Sequence, residues 1–91
     1  MGKLIDNLDL YKLEIFYWVA ELQSFSQAAA HLSLSQPTVS AHVQELEAAL
    51  RGKLLYRVQG KVSLTPLGQL LKEKARTLLS FKQETVAAVE Q

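Results

Sequence analysis

A mainly α domain, with three helices, a short hairpin and one long final helix, is the fold this sequence predicts. Three observations predict it. Apolar residues recur at three- and four-residue spacings over most of the chain, the period of an α-helix with one buried face. Two helix starts are marked by a hydroxyl residue just ahead of a proline, Ser35-Gln36-Pro37 and Thr65-Pro66, because a Ser or Thr side chain caps the first turn and proline there loses no intrahelical bond. Finally, Gln59-Gly60-Lys61 separates two short β-compatible runs, which reads as a hairpin.

Composition narrows the classes. Ninety-one residues make one domain at the small end of what buries an adequate core, and a 48% apolar content suits a globule helped by oligomerisation. The sequence has no cysteine, so disulfides and thiolate metal sites are excluded. Its apolar runs are too short to span a bilayer, and no basic stretch followed by an apolar one opens the chain; a cytoplasmic protein without membrane contact is expected. Net charge is only +1, but its distribution is uneven. Leu22 to Gln44 carries no charge apart from its histidines, whereas every charge between Glu47 and Glu73 is positive: Arg51, Lys53, Arg57, Lys61 and Lys72. An uncharged polar stretch beside an acid-free basic one suits a polyanion gripped through its backbone and read through its bases.

Taken in order, residues 1–7 have no clear period and read as a lead-in. Asp9 caps a helix running to about Leu22, with Leu13, Phe16, Tyr17 and Ala20 on one face and Tyr11, Ile15, Trp18 and Leu22 on another. A helix apolar on two sides must bury both, either as the central helix of a small bundle or by meeting a partner copy through Tyr11, Ile15 and Trp18. Ser24 or Ser26 caps the next, Ala-rich helix, which ends at Leu32 and whose small residues allow close approach. Ser33 then takes the bend, and Leu34 plugs the angle between helices. The helix after Ser35 has an inward stripe of Val39, Val43, Leu46 and Leu50 and an outward face of Gln36, Thr38, Ser40, Ala41, His42 and Gln44, short or planar polar groups suited to reading base edges at close range. Short helix, tight turn and longer capped helix is a helix-turn-helix pattern. Gly52 offers a left-handed stop. Leu54 to Val58 and Val62 to Thr65 form the hairpin, and its basic tip makes it a wing whose Arg57, Gln59 and Lys61 would lie on phosphates or at the minor groove. From Thr65-Pro66 a helix runs to Gln91. Some 24 residues span roughly 36 Å, more than a small core needs, so Leu67, Leu71, Leu78 and Val86 are expected to pack against a second copy.

Phe25-Ser26-Gln27-Ala28-Ala29, Leu32, Ser35-Gln36-Pro37, Val39-Ser40, Leu46-Glu47, Leu50, Leu54, Arg57, Leu64-Thr65 and Gly68 together resemble the N-terminal DNA-binding region of the LysR-type transcriptional regulators, over about residues 8–90. The resemblance implies a winged helix-turn-helix over residues 1–65 and a linker and dimerisation helix over 66–91. It implies base readers at Gln36, Pro37, Ser40, Ala41 and His42, and phosphate contacts at Ser26, Gln27, Ser35, Thr38 and the wing from Arg57 to Lys61. Three positions depart from the family pattern. Ala41 stands where arginine is frequent, which favours apolar contact with a thymine methyl. Arg51 stands where the helix-ending glycine is usual. Leu55-Tyr56 replaces the usual Phe-Glu, with Tyr56 either packed beneath the wing or bonded to a phosphate.

The partners implied are double-stranded DNA bearing an inverted repeat, a second copy of the chain, and, for a longer regulator, RNA polymerase and a small-molecule effector bound by a further domain not contained in these 91 residues. No catalytic residue, cofactor or metal site is expected. His31 and His42 sit on different helices, without a nucleophile at a recognisable spacing or a neighbouring acid. The competing reading is a helical interaction or dimerisation module that does not touch DNA.

Overall fold

The computed structural model describes residues 7–90 together with residue 4. Most of the lead-in, and Gln91, lie outside the described residues. The order is α1 (Leu10–Leu22), α2 (Phe25–Leu32), α3 (Gln36–Leu50), β1 (Leu55–Val58), β2 (Lys61–Leu64) and α4 (Pro66–Val89).

Each helix start has its predicted chemistry. Asp9 Oδ1 accepts the backbone N–H groups of Tyr11 and Lys12 at 2.8 and 3.2 Å, Ser35 Oγ accepts from Thr38 N at 3.2 Å, and Thr65 Oγ1 accepts from Gly68 N at 2.9 Å. Of the two candidate caps for α2 the structure uses Ser24, which accepts from Gln27 N at 3.0 Å; α2 therefore begins at Phe25, one residue earlier than expected.

The connections turn on single left-handed residues, Gln23, Ser33 and Arg51, with φ of 54°, 58° and 57°. After α3 this shows how the helix stops with Arg51 in the usual place of glycine. Arg51 itself adopts the left-handed conformation, its N–H bonding to Ala48 O at 3.2 Å and that of Gly52 to Glu47 O at 3.1 Å, the paired bonds of a Schellman cap. Gly52 has no left-handed torsion to serve; a Cβ there would come within 2.8 Å of Leu67 Cδ2 and push that methyl aside.

The core is built from Leu13, Ile15, Phe16 and Val19 of α1, Ala28 of α2, Val39, Val43 and Leu46 of α3, and Leu54, all 3% exposed or less. The inward stripe of α3 and the close approach of the Ala-rich α2 are as predicted, and Leu34 and Leu50 pack partly against this core. The assignment of Ile15 to an outer strip is not. Ile15 is wholly enclosed within the one chain, its strip neighbours Tyr11 and Trp18 lying against His42 of α3 and His31 of α2, while α4 lies along the Glu14–Glu21 side of α1. Lys72 and Arg76 reach Glu21 at 3.3 and 3.8 Å while Lys82 reaches Glu14 at 3.1 Å, so the two helices run antiparallel. Ala75 of α4 is fully buried and Leu67 and Leu71 pack against the core, which also takes these two leucines from the expected partner face. Beyond Leu79 every described residue of α4 is exposed.

The hairpin pairs Leu55 with Leu64, Tyr56 with Ser63, Arg57 with Val62 and Val58 with Lys61. Gln59 and Gly60, with φ of 53° and 77°, form its two-residue tip, the left-handed pair that a type I′ turn requires.

Candidate nucleic-acid interface

The first turns of α3 stand at the surface. Gln36, Pro37 and Ala41 are exposed and Ser40 half-buried. Ser35 and Thr38 cap the helix jointly: besides accepting from Thr38 N, the Ser35 hydroxyl donates to Thr38 Oγ1 at 2.8 Å. Ser26 and Gln27 are exposed on the first turn of α2. Phe25 at the head of α2, Ser40 and Gln44 of α3 and Leu55 and Arg57 of β1 line one shallow crevice, which brings the start of α2, the outer face of α3 and the wing to one side of the molecule. At the wing tip Gln59 and Lys61 are exposed, and Lys61, like Arg51, has no acidic partner among the described residues.

Two of the predicted contact residues are placed differently. His42 is turned toward α1: its Nδ1 lies 3.2 Å from Glu45 Oε1 and its ring meets that of Tyr11 edge-on at 5.6 Å. An acid does therefore neighbour His42, one helical turn along. Lys12 Nζ reaches the same Glu45 oxygen at 3.3 Å and, with a smaller contribution from His42, holds the Glu45 carboxyl below the usual carboxylate range. This places one edge of Tyr11, still 49% exposed, against α3.

Arg57 is the second. Strand side chains alternate between faces, so Arg57 shares the inner face of β1 with the buried Leu55, while Tyr56 and Val58 lie on the outer face. The Arg57 guanidinium sits 3.7 Å above the centre of the Phe25 ring, and its Nη2 donates a long hydrogen bond of 3.4 Å to Ser40 Oγ. Tyr56 is 51% exposed, not packed beneath the wing.

Sequence reasoning gave no role to Glu47 and saw only the cap in Thr65. Glu47 Oε2 accepts the N–H of Leu54 at 2.8 Å, fastening the start of the wing to α3. Thr65 donates its hydroxyl proton to Lys53 O at 2.7 Å while its N–H donates to Leu54 O at 3.1 Å. It ties both ends of the hairpin together at the root of α4. The spacing of Leu46-Glu47 from Leu54 gave no local signal for these contacts, because both partners become neighbours only after the wing folds back.

On the opposite side, an open groove of about 420 Å³ runs between α1 and the distal half of α4, lined by Glu14, Tyr17, Trp18, Arg76, Leu79, Lys82 and Val86 among others. Trp18 carries His31 against its ring at 4.1 Å. Next to the groove Leu78, Phe81, Val86 and Val89 are 43, 68, 44 and 79% exposed. Among the described residues no cluster of His, Asp or Glu could hold a metal ion, and no helix is long and apolar enough to cross a membrane.

Residues 10–69 match the family model of the bacterial regulatory helix-turn-helix proteins of the LysR family. The chain belongs to the LysR family. This is a family of transcriptional regulators and not of enzymes. Among LysR relatives, the transcriptional regulator XapR of Escherichia coli (strain K12) is 42% identical over 83 residues, covering 91% of this chain and 28% of XapR. The malolactic fermentation system transcriptional activator of Lactococcus lactis is 36% identical over 85 residues, 91% of this chain and 29% of the activator. The chain thus spans under a third of these LysR relatives. Among solved structures, the DNA-binding domain of BenM in complex with catB site 1 DNA superposes with a TM-score of 0.86 at 36% identity, covering 91% of this chain and 93% of that one. The CbnR DNA-binding domain in its DNA complex gives 0.82 at 31% identity, over 91% and 95%.

Proposed function

We propose that this LysR domain binds double-stranded DNA sequence-specifically as a homodimer, α3 entering the major groove and the wing lying on the adjacent backbone. The observation that carries the reading is the exposed, capped and uncharged first half of α3 flanked by the start of α2 and the basic wing tip, in a fold shared at 0.86 and 0.82 TM-score with BenM and CbnR DNA-binding domains held in DNA complexes. Gln36, Pro37, Ser40 and Ala41 are the proposed base readers, Gln36 through its planar amide and Ala41 through a thymine methyl. Ser26 and Gln27 at one helix start, Ser35 and Thr38 at another, and Gln59 and Lys61 at the wing tip are the proposed phosphate contacts, the helix starts contributing N–H groups and positive dipole ends.

The second copy is proposed to cover the Trp18 groove and the exposed strip of Leu78, Phe81, Val86 and Val89, giving two α3 helices that read an inverted repeat in successive major grooves. In a longer regulator with this domain at its start, response to a small molecule and contact with RNA polymerase would reside in the additional length that relatives such as XapR possess, and the protein would work in the bacterial cytoplasm.

Fluorescence anisotropy on a duplex recovered by selection from a random pool, compared with a base-shuffled duplex, tests the reading. Binding should fall steeply with salt, at a log-log slope near −0.9 per neutralised phosphate. Gln36→Ala should lose about 1–3 kcal/mol on the selected duplex alone, whereas Lys61→Ala should weaken both alike. Equal losses for Gln36→Ala on both duplexes would remove it from the readers. A monomeric mass by light scattering at micromolar and higher concentrations would refute the dimer.

A further inference from the structure

Arg57, expected to grip phosphate, is exposed, yet its guanidinium is already engaged within the fold. Two side chains of α3, Ser40 and Glu47, are engaged by the segment from Leu54 into β1. Seven residues of helix advance about 10.5 Å, and the three residues from Leu54 to Arg57 advance about 10 Å of strand. The rises match, with Glu47 held to Leu54 N at 2.8 Å and Ser40 to Arg57 at 3.4 Å. Strand and helix are therefore fastened side by side at two points, running in opposite directions. The Arg57 fastening is reinforced by the Phe25 ring 3.7 Å beneath the guanidinium, which draws in the head of α2. A planar, permanently charged guanidinium suits this place: one face stacks on the ring while an edge N–H remains free to donate. Ser40, a proposed base reader, accepts that N–H, so its own proton points elsewhere.

We infer that Arg57 is a positioning residue, which sets the Ser40 hydroxyl and the angle between wing and α3 through its contact with Phe25, and does not itself neutralise a phosphate. The inference rests on the DNA-binding reading for its effect on selectivity, while the Arg57–Phe25 contact can be measured without DNA.

By NMR of the free domain, the Arg57 side-chain protons should be shifted upfield by the Phe25 ring current and should return to ordinary positions in Phe25→Leu; unshifted protons in the parent would overturn the inference whether or not DNA binds. With DNA, Arg57→Gln should lose at least tenfold affinity for the selected duplex and less than twofold for the shuffled one, its salt slope staying equal to the parent's. Phe25→Leu should repeat that pattern, provided its circular dichroism melt shows a folded domain. Ser40→Ala serves beside it: the double variant Arg57→Gln with Ser40→Ala should lose no more than the larger single loss. A salt slope reduced by about 0.9 with equal losses on both duplexes, or additive losses in the double variant, would instead make Arg57 a phosphate contact. Failure of the parent to bind any duplex while the ring-current shift persists would refute the DNA-binding reading and leave the contact standing.

Discussion

Replacing Thr65 by valine removes one hydroxyl without changing side-chain shape, and the structure allows its cost to be worked out. Thr65 is 5% exposed, and its Oγ1 both accepts from Gly68 N at 2.9 Å and donates to Lys53 O at 2.7 Å. Losing an N-cap oxygen costs about 0.5–2 kcal/mol. Gly68 is buried, so its N–H has no ready water to replace the cap and the upper half of that range applies. The hydrogen bond to the Lys53 carbonyl is part-buried, and its loss adds about 0.5–1 kcal/mol, the net worth of an ordinary hydrogen bond. The sum is about 2–3 kcal/mol, which at about 4–8 °C per kcal/mol for a domain of this length lowers Tm by roughly 8–24 °C. Thermal unfolding by circular dichroism reads this directly, with Thr65→Ser as the control that keeps the hydroxyl. A Thr65→Val melt within about 2 °C of the parent would refute the assignment of Thr65 as the tie between wing and α4.

The same joint predicts that Gly68→Ala is destabilising by about 1–3 kcal/mol or more, because a Cβ there would lie inside contact of the Leu54 carbonyl, 3.0 Å from its carbon and 3.1 Å from Leu64 Cδ2; urea unfolding checks it. Arg51→Gly should raise stability by about 0.5–1 kcal/mol, since residue 51 holds a left-handed φ of 57° that costs an L side chain and not glycine, and a lower urea midpoint would contradict the cap geometry. Glu45→Gln tests the α1–α3 ion pair. Lys12 lowers the Glu45 pKa in the folded chain below its ordinary 4.5, so the stability it contributes is present above that pH and is lost as pH falls through the folded value. The Tm gap between parent and Glu45→Gln should therefore be positive near neutrality, close with acid, and shrink in high salt.

Much of this fold was legible because local chemistry decided it. Asp9, Ser35 and Thr65 are strong caps followed by periodic apolar residues, and the Gly60 tip fixed the hairpin to within a residue. The choice between Ser24 and Ser26 was not local, because it depends on Phe25 turning inward. Ile15 shows where periodicity ends: spacing tells which residues share a face, but not that the same chain's own helices close over that face, as His42 of α3 and His31 of α2 do beside Tyr11 and Trp18. Ion pairs such as Glu14–Lys82 cross 68 positions and leave no trace in a window of the sequence. Arg57 lies between these cases. Alternation along β1 places it on the side of Leu55, so its inward direction could have been read from the strand; the Phe25 ring waiting there could not. His42 is similar, its Glu45 partner lying three residues on and its Tyr11 contact far away.

The 24-residue α4 is rooted at Thr65 and Gly68 and stands clear of its own core beyond Leu79, which makes it a lever. Because α4 is tied to α1 from Lys72 to Lys82, it turns only together with α1 and α3. In a dimer joined through its far half, a tilt of about 5° of this unit over roughly 36 Å of helix would move each α3 by about 3 Å, close to the 3.4 Å rise of one base-pair step. The α1–α4 ion pairs and the Thr65–Gly68 joint would then carry the operator spacing from one α3 to the other.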